Sequence, residues 1–298
     1  NDIESAILPK VDEDIESKRA LYNVRKLLGK GGYGAVYEVI RSKDNKKYAM
    51  KCETMHIKKS VLTMDCKVLK ATAALHSSHF AKPVDRGRSD GRFKFLIMTL
   101  LGRNLWDLRV DRTEMRFTLG TALKAAEQCL IAIENLHRAG FLHRDIKPGN
   151  FAIGLKENGE HHHIFLLDFG LCRQFAVKNK DIRLPRDIAP FRGTTRYAPI
   201  AAMKSQEQSR KDDLESWLYM VVEWTSSELP WNNLKRDEKD KVLKMKLEVR
   251  ENEAFMNKMF VNCPKKHFQR IMEYLDTLQY IDIPDYKFVH FVLTSIYK

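Results

Sequence analysis

The stretch LLGKGGYGAVYEV, residues Leu27 to Val39, places four glycines within six positions. Glycine weakens regular structure unless the backbone must turn sharply or approach something closely. The spacing Gly29-x-Gly31-x-x-Gly34 occurs in more than one kind of phosphate site, and the element after the glycines decides among them. A dinucleotide fold needs a helix directly after the glycines. Here a β-branched, aromatic run comes next (AVYEVIRS), with no helix signal before Ser60. A Walker loop ends in Gly-Lys-Ser/Thr, which this stretch lacks. Two options stay open: a hairpin whose glycine-rich turn lies over the phosphates of a nucleotide, or a plain tight hairpin.

The run KKYAMKCE, after a turn at Lys43-Asp44-Asn45, supplies the second strand of that hairpin. Residues Ser60 to Leu75 carry apolar side chains at helical spacing, and Phe93–Leu101 reads as a buried strand. Beyond Gly102 the periodicity changes. Leu119–Arg138 is expected as a long amphipathic helix, Asp212–Glu228 as a strongly apolar one, and Phe268–Ile296 as further helix. Short strands are expected near Phe151–Ile153 and Ile164–Leu167, and an irregular basic stretch over Arg173–Arg196. The expected division is residues 1–20 as an N-terminal extension, 21–98 as a small β-rich lobe, 99–102 as a hinge and 103–298 as a larger helical lobe. The 44% hydrophobic content of the 298 residues is enough for real cores.

Three further motifs stand in an order that makes chemical sense. YAMK puts Lys51 on the hairpin's second strand, where an ammonium can reach α- and β-phosphates. FLHRDIKPGN supplies Asp145 and, five residues on, Asn150; LLDFG supplies Asp168 at the end of an apolar strand. One carboxylate can orient a hydroxyl nucleophile and accept its proton. A carboxamide and a second carboxylate are hard oxygen ligands for Mg²⁺.

With these motifs the chain resembles a eukaryotic protein kinase, and specifically the casein kinase 1 superfamily. The segment GTTRYAPIAAMKSQEQSRKDDLESWLYMVVEW, Gly193 to Trp224, carries the distinctive part of that likeness. MTLLGRNL, GFLHRDIKPGNFAIG and PRDIAPFRGTTRYA look closest to the tau-tubulin kinase branch. The likeness runs from about Tyr22 to Tyr297. It implies an α+β, bilobal protein kinase fold: a small β-rich N-lobe with one main helix and a larger, mainly helical C-lobe. It implies ATP and Mg²⁺ as cofactors and protein substrates with Ser/Thr acceptors.

The resemblance also implies roles, position by position. Gly29, Lys30, Gly31, Gly32, Tyr33, Gly34 and Ala35 would cover the phosphates, with Leu28, Val36 and Ala49 above the adenine. Lys51 would contact the α- and β-phosphates. Met98 would be the gatekeeper, and the backbone of Thr99 and Leu101 would meet the adenine edge. Asp145 would be the catalytic base. Lys147 would neutralise the moving γ-phosphoryl group, and a lysine two after the aspartate is the serine/threonine pattern. Asn150 and Asp168 would hold Mg²⁺. Thr194 would bond near Asp145 and Lys147, and Asp213 would brace the catalytic loop.

Two positions depart from the general kinase pattern. The helix residue expected to pair with Lys51 is Asp65, an aspartate where most kinases carry glutamate. Either the helix sits closer to Lys51, or the pair is weak, or Asp65 is a surface residue. Ile200 stands where most kinases have the glutamate of Ala-Pro-Glu, a feature shared with the casein kinase 1 group.

Between Leu171 and Gly193 there is no Ser, Thr or Tyr, yet Arg173, Lys178, Lys180, Arg183, Arg186, Arg192 and Arg196 face only Asp181 and Asp187 in number. A cationic cluster without its own anion should bind one from outside. The expectation is a constitutively competent enzyme preferring acidic or already phosphorylated substrates, with Arg173 and Arg196 as the pocket and Arg144 behind them. Lys239 and Lys241 only flank the further basic position the family uses.

The net charge of +13 suits phosphates, acidic peptides or nucleic acid, but aromatics interleaved with basic residues are not evident. Five scattered cysteines, with no Cys-x-x-Cys, argue against structural disulfides and a zinc cage. With no Asn-x-Ser/Thr acceptor either, a reducing interior, cytosol or nucleus, is expected. The polar, acidic stretch Asn1–Ser17 carries no secretory pattern and no apolar run is long enough to span a membrane. A monomer is expected. Residue 1 is not Met, so a piece of a longer protein is expected too. His161-His162-His163 reads as a loop, Cys172 as a small buried residue, and His137 and Trp217 as core. The competing readings are a pseudokinase, suggested by Asp65 and Ile200, and a nucleic-acid binder, suggested by the charge.

Overall fold

The computed structural model describes residues 7–32, 34–55, 57, 60–89, 91–176, 182–235 and 237–297. Tyr33, Lys178, Lys180 and Asp181 lie outside the described residues. The chain is α+β, with a β-rich part and a mainly helical part. By contacts it divides into two units: the chain up to Gly102 with Ile153–Gly170, and Arg103–Ala152 with the chain from Leu171 onward. Residues 153–170 join the first unit, which the expected boundary at 99–102 does not foresee. Phe80 bridges Leu166, and His79 Nδ1 lies 2.7 Å from Ile164 O.

The first unit is built on a six-stranded antiparallel sheet. Its strands are β1 (Asp14–Glu16), β2 (Leu21–Gly31), β3 (Gly34–Arg41), β4 (Lys46–Thr54), β5 (Pro83–Ser89) and β6 (Phe93–Thr99), in the spatial order β1-β2-β3-β4-β6-β5. Strand alternation sorts the residues by face. Ala35, Tyr37, Val39, Met50, Cys52, Phe93, Phe95 and Ile97 form one buried core. Leu8 and Ile15 close that core, so part of the expected N-terminal extension packs into it. Arg92 reinforces the contact by bonding Glu13 and the carbonyl oxygens of Ile7 and Leu8. The opposite positions, Val36, Ala49, Lys51 and Met98, alternate with this core, and the ladder sets Val36 against Lys51 and Ala49 against Met98.

One helix, Val61–Ala74, accompanies the sheet. Ser60 caps it by accepting from Thr63 N. Glu53, at the end of β4, accepts the N–H groups of Val61 and Leu62 at 2.6 and 3.1 Å and the Ser60 hydroxyl proton at 2.6 Å. A carboxylate at a helix N-terminus satisfies donors that would otherwise be orphaned. It also ties the helix start to the strand that carries Lys51.

The second unit is helical. Its two principal helices are Leu119–Arg138 and Arg210–Ser226. Nearly every residue of the latter is buried, the charged Asp212, Asp213, Glu215 and Glu223 together with its apolar residues. Trp217 is fully buried and donates its Nε1–H to Ala126 O at 3.1 Å, joining the two. Lys239–Glu251, Glu253–Met259, Lys265–Thr277 and Tyr286–Thr294 complete the main helical set. Strands β7 (Phe141–Leu142) and β8 (Arg173–Gln174) pair antiparallel within it. No helix among the described residues is long and apolar enough to cross a membrane.

Candidate active site

Each unit holds one polar centre. In the first, Lys51 Nζ lies 2.9 Å from Asp65 Oδ2 and 3.1 Å from Asp168 Oδ1. The pair with Asp65 forms because the helix is drawn close to β4 by Glu53. Asp65 is buried, and its Oδ1 accepts the Phe169 N–H at 3.1 Å. Burial would push Lys51 down, but Asp65 and Asp168 more than offset it and hold the ammonium above its ordinary value. For Asp65 the balance goes the other way: burial outweighs Lys51 and keeps the carboxyl above the usual carboxylate range. Asp168 adopts a left-handed backbone, φ 58°, an uncommon conformation that aspartate tolerates.

The glycine-rich turn joins β2 to β3. Gly34, at φ 155°, cannot be replaced without strain, because a Cβ there would meet Cys52 O at 1.9 Å. Gly29, Gly31 and Gly32 differ: a Cβ on each would meet no atom of the chain within 4 Å. Leu28, Gly29, Lys30, Gly31 and Gly32 are exposed. Val36 and Ala49 lie on the face of Lys51. Ala35 belongs to the opposite core at 3% exposure, so only its backbone is left for the contact expected of it. Thr99 donates its N–H to Lys82 O at 3.1 Å, and the next part of the strand exit is fixed by Gly102 N–H donating to Ile153 O. Leu101 is half-buried there.

In the second unit Asp145 is gripped from two sides. Thr194 Oγ1 donates to its Oδ1 at 2.9 Å, and Lys147 Nζ lies 2.8 Å from its Oδ2. Lys147 also donates to Thr194 Oγ1 at 3.0 Å, closing a triangle. Asn150 Nδ2 donates to Asp145 O at 2.8 Å, which fixes the carboxamide's orientation. Beneath them Asp213 accepts the N–H groups of His143 and Arg144, each at 2.8 Å, and meets His137 Nε2 at 2.8 Å. Burial would push Asp213 up, but the bond from His137 and the charges and N–H around it hold it below the usual carboxylate range. Arg144 is left-handed at φ 66°, a strain this brace sustains.

The segment leading to helix Arg210–Ser226 is anchored residue by residue. At Gly193, φ 102°, a Cβ would press on Arg144 O at 2.9 Å. Trp231 donates Nε1–H to Arg196 O at 2.8 Å, and Tyr197 donates its hydroxyl to Glu223 at 2.6 Å. Lys246, fully buried, donates to Thr195 O and Ala198 O, and burial pushes its pKa down to about 7. The departure at Ile200 is answered from another element. Glu215 accepts the Ile200 N–H at 3.1 Å and pairs with Arg250 at 3.3 Å.

The three arginines expected to make one anion pocket divide, and the premise that they lack an anion is corrected. Arg173 pairs with Glu207 at 3.2 Å. Arg196 pairs instead with buried Glu223 at 3.0 Å and stacks over Trp106, which Arg109 also covers. Arg144 donates its Nε–H to Leu171 O at 2.8 Å. Sequence reading missed Glu207, Glu215 and Glu223 because each is an ordinary glutamate in local sequence and finds its arginine far along the chain. Lys239 stacks on Phe191 and Lys241 pairs with Glu238.

His137 and Trp217 are buried as expected, but His137 also serves the Asp213 brace and lies 2.7 Å from the Tyr286 hydroxyl. Cys172 is buried at 4% exposure. His163 stacks on His79 and its Nε2 lies 2.9 Å from Ser78 O. No cluster of metal-ligating type occurs among the described residues.

A fold of this kind, carrying a strand lysine between two aspartates and an aspartate–lysine–threonine triangle, defines a class. The sequence matches the protein kinase domain over residues 22–279. The chain therefore belongs to the protein kinase family. It is similar to a probable serine/threonine-protein kinase of Dictyostelium discoideum, 33% identical over 276 residues, covering 93% of this chain and 53% of that one. It is also similar to the serine/threonine-protein kinase spe-6 of Caenorhabditis elegans, 39% identical over 259 residues, covering 86% of this chain and 66% of that one. The chain thus spans between about half and two-thirds of the length of these relatives.

Proposed function

We propose that the protein is an ATP- and Mg²⁺-dependent serine/threonine protein kinase of the casein kinase 1 superfamily, nearest the tau-tubulin kinase branch. The observation that carries this reading is Asp145 held by both Lys147 and Thr194, a carboxylate aimed by two donors rather than left to rotate. The names of the relatives support its coarser part, a serine/threonine protein kinase.

The chemistry assigned to each residue comes from its charge and reach. Asp145 orients the substrate hydroxyl and accepts its proton as the oxygen attacks the γ-phosphorus. Lys147 offsets charge on the moving phosphoryl group. Lys51, kept cationic by its two carboxylates, binds the α- and β-phosphates, while the glycine-rich turn covers them with backbone N–H groups. The adenine is assigned to the face of Val36, Ala49 and Met98. Asn150 and Asp168 offer hard oxygen donors, the set that suits Mg²⁺. That ion would neutralise phosphate charge when bound.

Transfer of radiolabel from ATP to an acidic, serine-rich protein tests the reading. Asp145→Asn should lower kcat by about a thousandfold, within the range of a general base. Absence of label from the folded wild-type chain, or equal labelling by the variant, would remove the reading. A pseudokinase would show that absence, and a nucleic-acid binder would show a salt-dependent shift with DNA or RNA.

Substrate preference is assigned to acidic or pre-phosphorylated segments, supported by the charge of +13 and by exposed Arg183 and Arg192 rather than by Arg196. Equal rates on peptides with and without an upstream phosphoserine would end that assignment. An intracellular protein fits the scattered cysteines, and a monomer is proposed with it.

A further inference from the structure

The segment between Leu171 and Gly193 has no hydroxyl to carry a phosphate. The second unit nevertheless contains the cations that would grip one, and a carboxylate among them. Glu207 lies just ahead of helix Arg210–Ser226, its side chain 1% exposed. Arg173 Nη1 lies 3.2 Å from its Oε2, and Arg186 donates Nη2–H to its Oε1 at 3.1 Å and Nε–H to its Oε2. Burial alone would raise this carboxyl. The bond from Arg186 and the charges of Arg173, Arg186 and Arg144 more than offset burial and hold it below its ordinary value.

These contacts span the segment. Arg173 stands at its start, in β8, where its backbone is in register with Leu142 of β7, two residues before Arg144. Arg144 in turn holds Leu171 O and precedes Asp145. Arg186 stands in the segment's second half. Guanidinium groups converging on one anion order a chain strongly, because each bond is charge-assisted and little is lost in aligning a planar donor.

We propose that Glu207 is a positioning residue for phosphoryl transfer, its carboxylate taking the part of a segment phosphate by clamping Arg173 and Arg186. The clamp holds the segment, and through Arg144 the catalytic loop, in a competent arrangement without modification. This role rests on the kinase reading above.

The test removes the anion and then returns it. Glu207→Ala leaves the cations without their carboxylate, and added acetate supplies one. The variant should lose at least about tenfold in kcat with the KM for ATP unchanged, a loss of about 1.4 kcal/mol. Acetate should recover part of the loss in Glu207→Ala and leave wild type unaffected. Hydrogen exchange at residues 171–176 and 182–189 should rise in the variant and fall again with acetate. Unchanged turnover overturns the proposal, and so does lost turnover that acetate does not recover. If Glu207→Ala does not melt cooperatively, Glu207→Gln is read instead: reduced kcat at constant KM supports the clamp, and wild-type kcat overturns it. A folded wild type that transfers no phosphate removes the kinase reading. Exchange then decides the clamp by itself: a rise in Glu207→Ala supports it, and no change overturns it.

Discussion

Asp65 and Asp213 are both buried aspartates, one under each polar centre, and their protonation is driven in opposite directions. Asp213 accepts two backbone N–H groups and meets His137, so its charge is shared among three donors. Asp65 has the Phe169 N–H and the Lys51 ammonium, and Lys51 divides itself between Asp65 and Asp168. Burial penalises both carboxylates; the number of committed donors decides which one overcomes it. The second unit thus holds the loop before Asp145 with a firmly ionised brace. The first holds Lys51, the lysine proposed to bind phosphate, with a looser, divided one.

The largest effect expected from this contrast is on Asp213. Asp213→Asn keeps the shape, but its NH₂ is turned toward donors that need an acceptor. The loss should be about 3 kcal/mol, the lower end for breaking a buried charged pair. Urea unfolding measures it, and kcat should fall with it because Arg144 and Asp145 lose their anchor. A loss below about 1 kcal/mol would mean that the brace is shared by groups outside the three donors.

Legibility in the sequence obeys the same division. The glycine-rich hairpin, Lys51, the helix Val61–Ala74 and the helix Leu119–Arg138 are written in local spacing, and the structure has them within a residue or two of the expected bounds. Asp145 and Asp168 stand in runs whose residue types alone suggest the chemistry. What local spacing cannot carry is a partner chosen at long range. Glu207 meets Arg173 and Arg186, and Glu215 meets Arg250, across stretches that no periodicity links. The error over the anion pocket came from there: counting charges within Leu171–Gly193 leaves out Glu207, which lies beyond the segment. Likewise Leu8 and Ile15 sit in a polar, acidic stretch, and nothing in its spacing marks these two as closing the sheet's core.

A smaller effect is expected at Asp65. Asp65→Asn leaves Lys51 its bond to Asp168, and the amide oxygen can still accept the Phe169 N–H. Burial already disfavours the Asp65 charge, so a neutral amide in its place, with Lys51 still held by Asp168, should cost only about 1 kcal/mol of stability, the net worth of one hydrogen bond. The lysine would nevertheless be less well aimed, and the KM for ATP should rise by about tenfold with a smaller change in kcat. Unchanged KM would make Asp65 a structural anchor for Phe169 alone. A stability loss as large as that of Asp213→Asn would erase the contrast between the two sites.

The finest discrimination is in the sign of the pH dependence. A depressed carboxyl such as Asp213 contributes stability that is fully present above the unfolded value, about 3.9, and lost as pH falls toward its folded value. Asp65 is raised. As pH climbs past about 3.9 the unfolded chain releases this proton before the native chain does, so stability falls until the folded value is passed. The stability difference between wild type and Asp213→Asn should therefore shrink in acid, whereas wild type should gain on Asp65→Asn. Neither slope can exceed about 1.4 kcal/mol per pH unit, the limit for one proton. Denaturant titrations of the three proteins between about pH 3 and pH 7 measure both slopes. Parallel slopes would show that donor number does not set the charge of these two groups, and that the carboxylate beside Lys51 is as firmly ionised as the one beneath His143 and Arg144.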